Sequence, residues 1–79
     1  MLTLFVKPFC QYCRKVLAYA EKNDLAMEIL DITKDPEKAK RLIELGGKRQ
    51  VPFLIDHEKD LWMYESADIL EHLKNNYVR

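Results

Sequence analysis

The chain opens on Leu2-Thr3-Leu4-Phe5-Val6, a five-residue run, apolar apart from Thr3, that Lys7-Pro8 cuts off. A run so short and so bounded reads as a buried strand. It falls well below the roughly 18 apolar residues of a membrane span and is too short for a signal-peptide core. A buried strand needs neighbours on both sides, and 79 residues at 48% hydrophobic content have to supply them from a single core. At this size folding removes only about 60–65% of the unfolded surface from water, so one small domain over residues 1–79 is expected.

The rest of the chain provides those neighbours in a regular order. Cys13, Val16, Leu17 and Ala20 are spaced as one face of a helix, which ends near Asn23-Asp24. Ala26 to Ile32 reads as a second strand. Asp35 has the character of an N-cap with Pro36 at the first helical position, and Ala39, Leu42 and Ile43 form the inward face of a second helix. Gly46 is its expected left-handed stop. Phe53-Leu54-Ile55 and Leu61-Trp62-Met63-Tyr64 flank the polar stretch Asp56–Asp60 and predict a hairpin. Ser66 is placed to cap a last helix, with Asp68 in its first turn and Ile69, Leu73 and Tyr77 spaced by four. The order β-α-β-α-β-β-α implies a parallel first pair, an antiparallel edge and a four-stranded mixed sheet flanked by helices. This is an α/β core of the thioredoxin kind. Leu25, Leu42, Ile43, Ile55, Trp62 and Leu73 are expected in its core, and His57 in a turn.

Charge narrows the function classes. Thirteen basic and thirteen acidic side chains cancel, which argues against a nucleic-acid partner held by phosphate neutralisation. The cancellation is uneven along the chain. Residues 1–15 hold Lys7, Arg14 and Lys15 and no acidic residue, whereas residues 56–71 hold six acidic residues and one basic. Two cysteines in 79 residues are far below the roughly 8–10% of a disulfide scaffold. A soluble, reduced, cytoplasmic chain with no membrane partner is expected.

The two cysteines, Cys10-Gln11-Tyr12-Cys13, stand where the first strand gives way to the first helix. Amides at a helix N-terminus lack partners and carry partial positive charge, so they favour an anion there. A thiol at its ordinary value of about 8.5 is only about 3% ionised at pH 7, and lowering that value by two units makes the thiolate dominant. Lys7, Arg14 and Lys15 push the same way. Cys10, at the exposed start of the helix, is therefore the expected nucleophile, and Cys13, on the apolar face, the resolving thiol. A structural disulfide is disfavoured, because so small a loop removes only about 2 kcal/mol of chain entropy and a reducing compartment would open it. A zinc site would need two more ligands, and His57 and His72 stand fifteen apart. A chance pair of inert thiols fits the spacing but not the strand-to-helix placement.

Three segments together resemble the glutaredoxin family over essentially the whole chain. Lys7-Pro8-Phe9-Cys10-Gln11-Tyr12-Cys13 is similar to the family's active-site segment, Gly46-Gly47-Lys48-Arg49-Gln50-Val51-Pro52-Phe53-Leu54 to the loop that carries its cis-proline, and Tyr64-Glu65-Ser66-Ala67-Asp68-Ile69 to the opening of its last helix. The resemblance implies a cis Val51-Pro52 bond facing the thiols, with the Val51 backbone pairing with the cysteinyl part of glutathione. The third segment departs from the Gly-Gly-x-Asp turn of common glutaredoxins. Its Glu65-Ser66 resembles the Glu/Gln-Ser pair of glutathione transferase N-terminal domains. It implies Glu65 for the α-ammonium of the γ-glutamyl group and Ser66, with the helix amides, for its carboxylate. Tyr12 would line the groove, and Lys7 and Arg49 are the candidates for the glycyl carboxylate.

The function implied is glutathione-dependent reduction of protein disulfides and glutathione mixed disulfides, with glutathione and protein disulfides as partners, no resident metal and a monomeric state. Two other readings remain. The first is a [2Fe–2S] carrier ligated by Cys10 and glutathione, which Gln11 leaves open because it replaces a proline that disfavours that assembly in the family. The second is a redoxin reduced by thioredoxin reductase. Transferase chemistry is not expected, because the chain stops at Arg79, right after the last helix.

Overall fold

The computed structural model describes residues 1–78. Its elements are β1 (Leu2–Val6), α1 (Gln11–Lys22), β2 (Met27–Asp31), α2 (Pro36–Gly46), β3 (Phe53–Asp56), β4 (Leu61–Met63) and α3 (Ser66–Tyr77). The strands form one sheet in the order β2-β1-β3-β4. β1 runs parallel to β2, from Leu2 opposite Met27 to Val6 opposite Asp31, and antiparallel to β3, from Leu2 opposite Asp56 to Phe5 opposite Phe53. β4 pairs antiparallel with β3 at the edge. This is the thioredoxin-like α/β architecture expected from the order of elements.

Side-chain alternation along the two central strands divides the core into two layers. Leu2, Leu4, Val6 and Leu54 pack with Cys10, Cys13 and Val16 of the α1 segment and with Ile69 and Leu73 of α3. Phe5, Phe53 and Ile55 point the other way and pack with Ile32 and with Leu42 of α2. Both faces of β1 are thereby covered, which explains why its sequence is an apolar run rather than an alternating one. Thr3, on the α2 side, is buried and meets its polar needs through Glu28 Oε1 at 3.3 Å and His57 Nε2 at 2.8 Å.

Two helix ends differ from expectation. The left-handed stop of α2 is Gly47 (φ 89), whose N–H donates to the Ile43 carbonyl at 2.8 Å, and Gly46 is still helical. Gly46 is needed for a different reason: a Cβ there would fall inside the phenol of Tyr64. Ser66 is the first residue of α3 rather than its cap. The Ile69 N–H donates to the Glu65 carbonyl at 3.0 Å, so Glu65 occupies the cap position, and it does so at φ 57 with no side-chain capping bond. Trp62 and Ile43, expected inside, are exposed. Trp62 pairs with Ile55, but on the edge strand it lies outside the packed cluster. Leu25 is half-buried against the α1/α3 layer.

The end of the sheet away from Cys10 holds a fully buried carboxylate. Asp56 accepts from the Tyr77 hydroxyl at 2.6 Å and from the Lys59 N–H at 3.2 Å, and its Oδ2 lies 2.8 Å from His72 Nε2. Burial alone would raise its pKa, but the bonds from Tyr77, His72 and Lys59 outweigh it and hold the carboxyl below its usual value. This cluster ties the end of β3 to the last turn of α3.

Candidate functional site

The site is built where β1 ends and α1 begins. Phe9 takes a left-handed backbone (φ 61), and the chain then enters α1 with Cys10 as N-cap in an extended conformation. The Cys10 sulfur accepts the Cys13 N–H at 3.2 Å, the position a serine or aspartate oxygen usually fills at a helix start. An otherwise unpaired amide and the positive end of α1 therefore both point at this sulfur.

Both cysteines are free thiols. Cys10 is not exposed as its place at a helix start suggested: only 8% of its surface is open, because it packs in the α1/α3 layer and its sulfur folds back over the first turn. Cys13 is 1% exposed. Its thiol is pushed up to about 12, first by burial and next by its hydrogen bond to Cys10, with the charge of Cys10 adding to the rise and the backbone and ammonium of Lys7 opposing it. The pair is thus differentiated, with Cys13 holding its proton and Cys10 presenting its sulfur to an amide.

Beside the thiols lies a groove of about 450 Å3, lined by Tyr12 of α1, by Gln50, Val51 and Pro52 ahead of β3, and by Glu65, Ser66 and Ala67 at the start of α3. Five residues singled out from sequence therefore converge from three separate segments. The Val51-Pro52 bond is cis, as expected. The β1/β3 ladder begins at Phe53, so the Val51 backbone lies outside it, and the Val51 side chain packs against the layer containing Cys10 and Cys13. α3 has no side-chain cap, so its first amides are open toward the groove, the arrangement that suits a carboxylate.

Lys7 and Arg49 are exposed and do not line the groove. Lys7 is tied to the thiols through its influence on Cys13 instead. Gln50 and Ala67 line it and were not anticipated. Gln50 Nε2 donates to Glu65 Oε1 at 3.3 Å across the groove. Its only signal in sequence is adjacency to Val51-Pro52, and nothing there distinguishes it from its neighbours. Among the described residues, no group of three or more His, Cys, Asp or Glu side chains is placed to hold a metal ion.

Residues 4–79 match the family described as glutathione S-transferase, N-terminal domain. Human glutathione S-transferase T1-1 in its apo form superposes with a TM-score of 0.80 at 29% identity, covering 98% of this chain and 32% of that one. Human glutathione transferase theta-2, solved in complex with glutathione and an unknown ligand, gives a TM-score of 0.82 at 30% identity over 98% of this chain and 32% of that one. A thioredoxin-like protein at 20% identity, covering 92% of this chain and 99% of that one, has a TM-score of 0.78 and shares the fold. The chain spans about a third of the length of the solved transferases it matches. No curated protein matches it significantly.

Proposed function

The chain belongs to the glutathione S-transferase N-terminal domain family, and on that premise we propose that it is a glutathione-dependent thiol–disulfide oxidoreductase of the glutaredoxin type. The observation that carries the reading is the Cys10 sulfur at the N-terminus of α1, accepting the Cys13 N–H at 3.2 Å beside a groove walled by Val51, Glu65 and Ser66. A transferase-like groove alone fits conjugation as well as redox chemistry. A nucleophilic thiol beside that groove, with a second thiol one turn away to resolve protein mixed disulfides, favours exchange.

In the proposed reaction the Cys10 thiolate attacks the glutathionyl sulfur of a mixed disulfide. A Cys10–glutathione disulfide forms, the original S–S bond breaks, and the substrate thiolate leaves and takes a proton from solvent. A second glutathione thiolate then attacks the glutathionyl sulfur, regenerates Cys10 and leaves as part of glutathione disulfide. Two electrons have passed from glutathione to the substrate. For protein disulfides the Cys10 thiolate attacks one sulfur and releases the other as a thiolate; Cys13 then displaces the remaining substrate thiolate to form a Cys10–Cys13 bond, which two glutathiones reduce, leaving as glutathione disulfide. The groove orients glutathione: the Val51 backbone pairs with its cysteinyl unit, Glu65 takes the α-ammonium, and Ser66 and the α3 amides take the α-carboxylate. Tyr12 lines the groove, and the exposed Lys7 and Arg49, outside its lining, attract the glycyl carboxylate by charge.

The test is reduction of the mixed disulfide of glutathione and 2-mercaptoethanol, coupled to glutathione reductase and NADPH. Cys10→Ser should abolish turnover and Cys13→Ser should keep it. Turnover surviving in Cys10→Ser overturns the assignment. Conjugation of 1-chloro-2,4-dinitrobenzene without disulfide reduction would point to transferase chemistry.

A further inference from the structure

Phe9 is the most exposed large hydrophobic side chain of the described residues, at 90%, and its left-handed backbone turns it out of the core next to Cys10. Tyr12, 58% exposed, follows Cys10 by two residues and lines the groove, which Phe9 does not. Neither ring is used to build the two core layers. The charged side chains next to Cys10 in sequence are basic. Lys7, Arg14 and Lys15 are exposed and adjoin Cys10 in sequence, and Lys15 Nζ lies 5.6 Å from the centre of the Tyr12 ring. Lys48 and Arg49 are exposed in the loop that leads into the groove. The one acidic side chain in the groove wall, Glu65, already accepts from Gln50.

The other end of the sheet is different. Asp56 pairs with Leu2 at the start of β1, so the acidic hairpin with Glu58 and Asp60 lies away from the thiols, which follow the end of β1. The acidic hairpin thus lies at the far end of β1, and the charges that adjoin Cys10 in sequence, Lys7, Arg14 and Lys15, are basic. Such a separation orients an approaching partner over a distance of about a Debye length and raises association rates for one sign of charge.

From this rim we infer that the polypeptide substrate is an extended segment with acidic residues flanking its cysteine, docked by an apolar side chain against Phe9. The inference rests on the redox reading above and adds to it which proteins are accepted. Because Cys10 is only 8% open, a substrate sulfur reaches it on a slender segment rather than across a broad flat face. Glutathione fills the groove on the Tyr12 side, and the rest of the substrate is left to the Phe9 side and the basic rim.

The experiment compares two glutathionylated peptides of equal length that differ only in having Asp and Glu or Lys flanking the cysteine. Both carry the same glutathionyl group, so the contrast isolates the polypeptide part. At low ionic strength the acidic peptide should show about tenfold higher kcat/KM, and the difference should collapse in about 0.5 M salt. Reversing the rim with Arg14→Glu and Lys15→Glu together should invert or erase the preference. Phe9→Ala should raise KM for the acidic peptide several-fold and leave turnover of the small mercaptoethanol–glutathione disulfide unchanged. Equal kcat/KM for the two peptides at low salt, with the small disulfide turned over normally, overturns this inference alone. Failure to reduce even the small disulfide overturns it together with the redox reading.

Discussion

The phenol of Tyr64 occupies the space in which a side chain on Gly46 would begin, and its hydroxyl donates to the Lys48 carbonyl at 2.8 Å. The same ring stacks on Phe53 at 4.6 Å and carries Lys48 Nζ 4.7 Å from its centre. One side chain at the root of α3 therefore fixes the loop that leads to Gln50, Val51 and Pro52. Both long walls of the groove hang on it.

Gly46→Ala should accordingly destabilise the fold. Alanine is the better helix former at this last helical position, but the added methyl must displace a ring held on three sides. The net loss expected is about 1–3 kcal/mol, or a drop in Tm of roughly 5–20 °C for a domain this small. Thermal unfolding by circular dichroism checks it. Tyr64→Leu in the Gly46→Ala background should return part of the loss, which would show that the clash is with this ring.

Asp56 and Tyr77 make stability depend on pH at both extremes. The folded pKa of Asp56 is lowered, so its contribution is present above the unfolded carboxyl value and is lost as pH falls through the folded one. Tyr77 is raised to about 12, first by its bond to Asp56 and next by burial. Its contribution is complete below the ordinary value of about 10 and is lost as pH rises through about 12. Tyr77→Phe should cost on the order of 2 kcal/mol at neutral pH and remove the tyrosine-linked part of the alkaline loss. It should also shift acid unfolding to higher pH. Urea midpoints measured from pH 2 to 12 test all three effects; an unchanged profile would mean that the buried carboxylate does not depend on this hydroxyl.

The architecture was legible because each element carried its own signal. Lys7-Pro8 stops β1, Asp35-Pro36 starts α2, and the four-residue spacing of Ile69, Leu73 and Tyr77 marks α3. The convergence of Tyr12, Val51, Pro52, Glu65 and Ser66 followed from motifs placed on that order. What escaped depended on contacts between segments distant in sequence. Gly46 and Gly47 are indistinguishable as letters, and only the position of Tyr64 assigns one to clearance and the other to the left-handed turn. Glu65 displaced Ser66 as cap because its backbone is left-handed, a conformation no local preference of glutamate predicts. The acidic stretch after β3 reads as solvated hairpin, yet Asp56 is drawn inside by Tyr77, twenty-one positions away.

The two thiols should separate cleanly by alkylation. Cys13, with its thiol raised to about 12 and 1% of its surface open, is both protonated and sheltered at neutral pH. Native protein treated with iodoacetamide at pH 7 should take up one equivalent, at Cys10, and a second only after denaturation. Peptide mapping of the modified residue decides this, and rapid labelling of Cys13 would contradict the differentiation described. Mixed-disulfide formation at Cys10 removes the hydrogen bond and charge that help hold Cys13 up, but burial, the larger cause, persists. The monothiol route through a second glutathione should therefore dominate, and Cys13→Ser should keep at least about half of the glutathione-coupled rate.

Glu65 sets a structural requirement against a functional one. Its φ of 57 with ψ of 114 lies where side chains other than glycine are disfavoured, at a cost on the order of 1–3 kcal/mol. Its side chain nonetheless faces the groove, where it accepts from Gln50 and adjoins the open amides of α3. Glu65→Gly should relieve the backbone and hold or raise Tm, while it removes the carboxylate assigned to the α-ammonium of glutathione. Glu65→Gln keeps the backbone cost and the length of the side chain but not the charge. Both variants should raise KM for glutathione by about tenfold, with kcat for the small mixed disulfide changing less than twofold, because the group binds the far end of the ligand and not the reacting sulfur. Calorimetric titration with glutathione and thermal unfolding, run on the same two proteins, separate the effects. A Tm that falls in Glu65→Gly would show that the left-handed residue is held by contacts worth more than its strain, and an unchanged KM would remove Glu65 from the binding site.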